Sequence, residues 1–171
     1  MLLKGWIFIL IRLIVQFGVG IILLLVSIFS ALYEGSEITF YNEEWAYSTP
    51  FTHLFKGGVK FPEEILQLDY FVFAAKFRPF FPILAFISVV YLLTLVGYVI
   101  FKHNSKWFNY FLFFIGSMLF VFSLLLSNSV TIGGDKFFKA SLAMSILYIT
   151  IALILFLRKK MNVTKKATVN E

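Results

Sequence analysis

Four apolar segments, each long enough to cross a bilayer, constrain this chain more than any other feature. They cover residues 6–32, 80–101, 107–127 and 138–157. About 20 apolar residues, at a helical rise of about 1.5 Å each, cross roughly 30 Å of hydrocarbon. Because backbone polar groups find no water there, each segment has to satisfy them within a helix. The sequence therefore predicts an all-α membrane protein, a four-helix transmembrane bundle forming a single membrane domain over residues 1–171.

The composition supports a membrane location and excludes several classes of chemistry. Hydrophobic residues make up 60% of the chain and charged residues 14%, whereas soluble domains have about 45–50% and about 25%. There is no cysteine, so disulfides, thiolate catalysis and cysteine-based zinc sites are excluded. The net charge is +6, but the basic residues flank the apolar segments. We therefore expect them to meet lipid headgroups and not nucleic acid.

The distribution of basic residues predicts the orientation of the four helices. If both ends are cytoplasmic (N-in/C-in), nine of the 15 lysines and arginines lie on the cytoplasmic side, as the positive-inside rule favours. Residues 33–78 then form an extracytoplasmic first loop that caps the bundle, and residues 158–171 form a basic cytoplasmic tail. The predicted cytoplasmic set is Lys4, Arg12, Lys102, Lys106, Arg158, Lys159, Lys160, Lys165 and Lys166.

The first loop has a pattern of its own. Pro62, Glu63 and Glu64 predict the start of a short amphipathic helix, because acids favour the positive end of the helix dipole. We expect this helix to lie on the outer bilayer surface or against the helix ends; the alternative is a soluble helix packed on its own loop. Residues 38–41 resemble a strand, and Gly57-Gly58 predicts a turn. The predicted apolar face of the helix contains Ile65, Leu68, Phe71, Val72 and Ala75.

Aromatic residues are dense in the same loop. Tyrosine and tryptophan favour membrane interfaces, because one end of the side chain is apolar and the other can hydrogen-bond. Trp45, Phe71 and Phe73 are candidates for an outer contact surface that binds a lipid-like ligand or a partner. The alternative is an aromatic belt over a small folded cap.

Polar candidates are few. Arg12 and Gln16 lie one helical turn apart in the first segment and form a stripe that either lines a polar crevice or holds an arginine reaching back to the headgroups. His53 lacks the ligand spacing of a metal site, and His103 is expected to be an ordinary loop residue. We therefore predict no catalytic, cofactor or metal site. The loop acids expected to be solvated are Glu43, Glu44, Glu63, Glu64 and Asp69.

Small residues predict where the helices touch, because they let backbones approach closely and their hydroxyls can bond across. In the third segment they favour one side for packing and leave the phenylalanine side for lipid or a partner. The candidate packing positions are Gly20, Ser27, Gly116, Ser123, Ser127, Ser141 and Ser145.

The chain resembles small, uncharacterised four-span proteins of Gram-positive bacteria. The resemblance rests on the short basic ends "MLLKGW" and "RKKMNVTKK", the phenylalanine-rich segments and the cysteine-free Lys/Glu/Asn style. It implies a bacterial plasma membrane location and no particular activity. The leading hypothesis is a non-catalytic accessory, sensing or scaffold protein that binds another membrane protein or a second copy of itself. The alternatives are a small transporter or channel component using Arg12 and Gln16, and a membrane enzyme using the loop acids with His53.

Overall fold

The computed structural model describes residues 2–102 and 104–169, with side chains described for 10–102 and 104–158. Every regular element in this part of the chain is helical. Short 3₁₀ turns cover Ser36–Phe40, Asn42–Glu44 and Pro62–Glu64. The α-helices are α1 (Leu2–Gly35), α2 (Trp45–Ser48), α3 (Pro50–Lys56), α4 (Gln67–Phe77), α5 (Phe80–Phe101), α6 (Ser105–Leu126) and α7 (Ile132–Val169).

Among the described residues, four helices are long and apolar enough to cross a membrane, which confirms the predicted all-helical chain with four apolar segments of that length. The qualifying stretches are Leu10–Phe40, Phe80–Phe101, Ser105–Leu126 and Ile132–Arg158. Many of their apolar side chains are exposed; Leu125, for example, is 77% exposed. A soluble monomer rarely exposes so much contiguous apolar surface, so these faces suit lipid.

The first and last of these four helices, α1 and α7, extend beyond their predicted apolar segments. α1 ends at Gly35, past the predicted limit at residue 32, and α7 begins at Ile132 instead of residue 138. α7 also continues without a break from the apolar segment into the basic tail, as far as Val169. An apolar segment ends where contact with lipid would end, whereas a helix can continue until a residue such as proline or glycine disfavours it. Residues 135–169 contain neither proline nor glycine, so α7 continues into the basic tail. The side chain of Lys4, those of the tail lysines (159, 160, 165 and 166) and the whole of His103 lie outside the described residues.

Backbone contacts divide the chain into two units. The first contains residues up to Leu95 together with Ser129–Lys136; the second contains Val96–Asn128 and the residues from Phe137 onward. In the first unit, α1 packs along α4, and Ser27, Ala31 and Gly35 are buried residues of α1. A Cβ atom at Gly35 would collide with the backbone carbonyl of Tyr70, so the two helix backbones are in direct contact there. Gly20 lies against Leu92 and Tyr91 of α5.

The second unit is held by small residues on α6 and α7. Gly116 lies against Ile149, and the Ser145 hydroxyl donates to the Gly116 carbonyl at 2.8 Å. Ser123 and Ser141 are also fully buried, whereas Ser127 is exposed. Ser127 is the C-cap residue of α6, so it lies at the end of the helix, beyond the buried Ser123.

The first loop folds differently from its predicted outline. Residues 36–40 form a 3₁₀ turn, so the predicted strand at 38–41 is wrong. Gly57 and Gly58 do form the predicted turn, with φ of 77° and 138°, values that favour glycine. Pro62–Glu64 is a 3₁₀ turn, and α4 starts only at Gln67. The Glu64 carboxylate accepts from the backbone N–H groups of Lys60 and Phe61 at 2.7 and 3.2 Å, so it stabilises this turn and not the start of α4.

Candidate functional site

The segment between α1 and α5, residues 36–78, is here called the cap, and it has a small core of its own. Ile38, Ile65 and Phe73 are buried together, with Phe73 only 4% exposed. Trp45 packs against this cluster, and its indole N–H donates to the Ile38 carbonyl at 2.9 Å. The cap is therefore a folded structure that joins the ends of two helices long and apolar enough to cross a membrane.

Asp69 ties α4 to α3. Its carboxylate is fully buried and accepts from the backbone N–H groups of Phe51 at 2.9 Å and Thr52 at 2.8 Å, and from the Thr52 hydroxyl at 2.5 Å. Those N–H groups belong to the first turn of α3, where a helix has no internal acceptor for them. Thr49, the N-cap residue, supplies no side-chain acceptor, so Asp69 caps α3 from another helix. The prediction of a solvated Asp69 is wrong.

This role of Asp69 sets the rotation of α4. Its buried residues are Asp69, Phe73 and Ala74, while Leu68, predicted for the apolar face, is 55% exposed. Phe71 is half-buried. The apolar residues alone predicted a different buried face, because hydrophobic periodicity assigns a carboxylate such as Asp69 to the exposed side of a helix.

Two ion pairs connect the end of α4 to the start of the cap. The Lys76 ammonium donates to the Tyr47 carbonyl at 3.1 Å and the Ser48 hydroxyl at 2.8 Å, and it lies 3.7 Å from a Glu44 oxygen. Arg78 Nη2 donates to both carboxylate oxygens of Glu37, at 3.2 and 3.1 Å. Both pairs are partly exposed, so each contributes modestly to stability. They fix side chains around an opening in the cap.

That opening is a cavity of about 590 Å³, within the range of about 300–1,000 Å³ typical of small-molecule sites. We call it the cap pocket. Four aromatic rings, three carboxylates, one amide and one guanidinium line it: Phe40, Tyr41, Phe73, Phe77, Glu37, Glu43, Glu44, Asn42 and Arg78.

The aromatic lining includes a row of rings in contact. The Tyr41 and Phe73 rings are stacked with centroids 5.9 Å apart, and Phe73 meets Phe77 at 4.8 Å. Phe73 anchors the row in the cap core, while Tyr41 is 53% and Phe77 38% exposed. Phe40, also in the lining, is 85% exposed. The pocket thus presents ring surface to whatever occupies it.

The charged side chains that line the pocket differ in how many hydrogen-bond and ion-pair partners they have. Glu37 is held by Arg78, and Glu44 accepts from the Ser48 hydroxyl at 2.7 Å and lies near Lys76. Glu43 is exposed and has no hydrogen bond or ion pair within the part of the chain that the structure describes. Only Nη2 of the Arg78 guanidinium donates to Glu37. The pocket therefore offers one unused carboxylate and the spare donors of one guanidinium.

The predicted site residues are distributed as follows. Phe73 belongs to the cap core and not to an outer surface; it reaches the pocket only as the middle ring of the row. Trp45 is half-buried against the cap core and does not line the pocket. Arg12 is exposed on α1 and Gln16 is half-buried. Phe40, Glu43 and Arg78 were missed as members of one site, because the fold of the cap brings them together across more than 30 residues of sequence.

The acids associated with His53 do not gather around it. His53 is exposed on α3, while Asp69 caps α3 and Glu64 stabilises its own turn. Among the described residues, no group of three histidines or acids is placed to hold a metal ion.

Among the residues whose side chains the structure describes, two buried oxygens in the long apolar helices have no hydrogen-bond partner: Oε2 of Glu34 on α1 and Oδ1 of Asn109 on α6. Glu34 follows the first predicted segment but lies within the helix. Asn109 borders a smaller cavity of about 220 Å³ in the second unit, whose other lining residues are Tyr110, Phe113, Ala152, Leu153 and Phe156.

The part of the chain that contains the cap matches a known protein family. Residues 14–101 match the family model described as a domain of unknown function, DUF4306. The chain is also 33% identical over 92 residues to the uncharacterized protein YjdJ of Bacillus subtilis (strain 168), an alignment covering 53% of this chain and 84% of that protein. No solved structure matches. The expected resemblance to uncharacterised Gram-positive proteins is confirmed, and the chain belongs to the DUF4306 family, whose matched region contains every residue that lines the cap pocket.

Proposed function

We propose that this protein is a non-catalytic component of the bacterial plasma membrane that acts by binding a ligand or partner in the cap pocket. The observation that carries the proposal is the pocket itself: a cavity of about 590 Å³ lined by exposed rings and incompletely paired charges. An accessory, sensing or scaffold protein needs such a binding surface. Its protein partner would be another membrane protein or a second copy of this chain.

The position of the pocket supports this role. Glu37 follows the last residue of α1 by two positions, and Arg78 precedes the first residue of α5 by two. Since both helices are long enough to cross a bilayer, the pocket opens at the level where the chain leaves the lipid. The excess of lysine and arginine at the opposite ends favours an extracytoplasmic cap, with both termini in the cytoplasm.

The alternatives have less support. A membrane enzyme using His53 with the loop acids needs those side chains to converge, whereas Asp69, Glu64 and Glu44 are engaged at separate points of the cap. A transporter using Arg12 and Gln16 needs a polar stripe facing inward, whereas Arg12 is exposed. Binding at the cap requires no rearrangement of these contacts.

Photocrosslinking in native membranes tests the proposal. A photoreactive phenylalanine analogue replaces Phe40 in the pocket, with the same replacement at Phe55 as control. Phe55 is 68% exposed, lies on α3 of the cap and does not line the pocket. We expect a defined adduct at position 40 that is weaker at position 55 and lost when Glu43→Gln is added. The same adducts at both positions, unaffected by Glu43→Gln, would contradict the proposal.

A further inference from the structure

We infer that the cap pocket recognises an aminoalkyl phosphate, a group with a cationic amine a few bonds from a phosphate, and that the headgroup of an aminophospholipid is its membrane source. This inference rests on the proposed function and adds the chemical class of the ligand.

One side of the pocket suits a cationic amine. Rings attract cations over their faces, more strongly as water is excluded. Phe40 and Tyr41 offer exposed ring surface in the lining, and Phe77 already has the Lys76 ammonium 5.8 Å from its ring centre. The unused carboxylate of Glu43 lies in the same lining. An ammonium group would gain both a charge partner and a ring surface there.

The arginine suits a phosphate. A guanidinium has five N–H donors in a planar fork that matches phosphate oxygens. Arg78 donates from Nη2 to Glu37 and keeps Nε and Nη1 free of protein partners within the described residues. The Glu37 carboxylate holds the guanidinium in the pocket wall without using all its donors. A purely cationic ligand would leave these donors unused.

The depth of the pocket suits a lipid headgroup. The pocket residues Glu37 and Arg78 are each two positions from the end of a spanning helix, and exposed apolar side chains continue along α1 and α5 below them, such as Phe29 at 68% and Phe80 at 70%. A headgroup seated in the pocket would leave its acyl chains beside these helices. An anionic headgroup without an amine would instead face three carboxylates.

Lipid retention by the purified full-length chain tests the inference. Native mass spectrometry measures binding of phosphatidylethanolamine and phosphatidylglycerol added to the detergent-solubilised protein. We expect phosphatidylethanolamine to bind about fivefold more tightly, the upper end of what one solvent-exposed ion pair contributes. Glu43→Gln should remove most of this preference, and Arg78→Gln should weaken both lipids. The matched control is Glu63→Gln, an exposed cap acid outside the pocket.

The outcomes separate the possibilities. Equal binding of the two lipids, or a preference that survives Glu43→Gln, overturns the inference. Displacement of the lipid by soluble phosphoethanolamine supports the same chemistry and shows that the free compound suffices; failure to displace it shows that the acyl chains are also needed. Because Glu43 has no partner within the described residues, its substitution tests binding without disturbing the fold. A crosslinked adduct at position 40 that is not an aminoalkyl phosphate would refute this inference and leave the proposed function standing.

Discussion

Asp69 shows how much a single buried side chain decides in this protein. It is a carboxylate at 0% exposure that serves three donors from α3, one of them the Thr52 hydroxyl. That hydroxyl in turn accepts from the Leu66 N–H at 2.9 Å, so the start of α4 is bound into the same network. A buried charge is tolerated when its hydrogen bonds are complete. The network orients α4 and hence the ring of Phe73 in the cap pocket.

Replacing Asp69 by asparagine should loosen the cap. The amide keeps the shape but sets an N–H₂ group against a backbone N–H donor and removes the charge. We expect the cap to lose about 2–3 kcal/mol of stability. Limited proteolysis between α2 and α4 in detergent measures this loss, and Glu63→Gln, which removes an exposed carboxylate, is the control. Equal protease resistance of the two variants would show that the Asp69 network does not stabilise the cap.

Glu64 gives the cap a dependence on pH. Backbone N–H groups of Lys60 and then of Phe61 donate to its carboxylate and lower its pKa from the ordinary value of 4.5. A pKa lowered by folding means that the carboxylate stabilises the turn above pH 4.5 and that this contribution is lost as the pH falls through the lower value. A carboxyl ¹³C titration should show Glu64 inflecting at a lower pH in the folded protein than in the same protein unfolded by urea. Coincident curves would refute the expectation.

At the scale of elements, the close contact of α1 with α4 determines where the cap sits. Gly35 touches the Tyr70 carbonyl, and Gly133 at the start of α7 likewise touches the Ala75 carbonyl within the first unit. Both contacts exist because these positions have no Cβ atom. α4 is thus held by backbone contacts as well as by its side chains.

Gly35→Ala should therefore destabilise the protein although alanine is the better helix former. A Cβ at position 35 would have to displace the backbone of α4, whereas at Gly18, also in α1, nothing lies within 4 Å of the added atom. We expect Gly18→Ala to be neutral or stabilising by up to about 1 kcal/mol and Gly35→Ala to lower the thermal unfolding temperature. Scanning unfolding in detergent compares the two. Equal effects would mean that α1 and α4 are not in backbone contact.

At the scale of the whole molecule, the proposed topology makes a direct prediction about accessibility. The chain has no native cysteine, so single cysteines report without background. Tyr47 in the cap is 78% exposed, and Lys106 at the start of α6 is also exposed. A membrane-impermeant maleimide added to intact cells should label Tyr47→Cys and leave Lys106→Cys unlabelled until the cells are opened. The reverse pattern would invert the orientation.

The family model matches residues 14–101, which contain most of α1, the whole cap and α5. The pocket therefore belongs to the part of the chain that the family model covers, and both α6 and α7 lie beyond that part.

The sequence by itself determined that there are four helices long and apolar enough to cross a membrane, because the need to satisfy backbone hydrogen bonds in lipid acts on each apolar segment separately. It placed α5 without error and located the glycine turn at Gly57-Gly58, since both depend on local residues. The tertiary structure alone decided that Asp69 is buried, that α4 turns Phe73 inward, and that Glu43 meets Arg78 in one pocket. These features depend on hydrogen bonds and ring contacts between residues far apart in sequence, and no local periodicity records which distant donor a carboxylate will find.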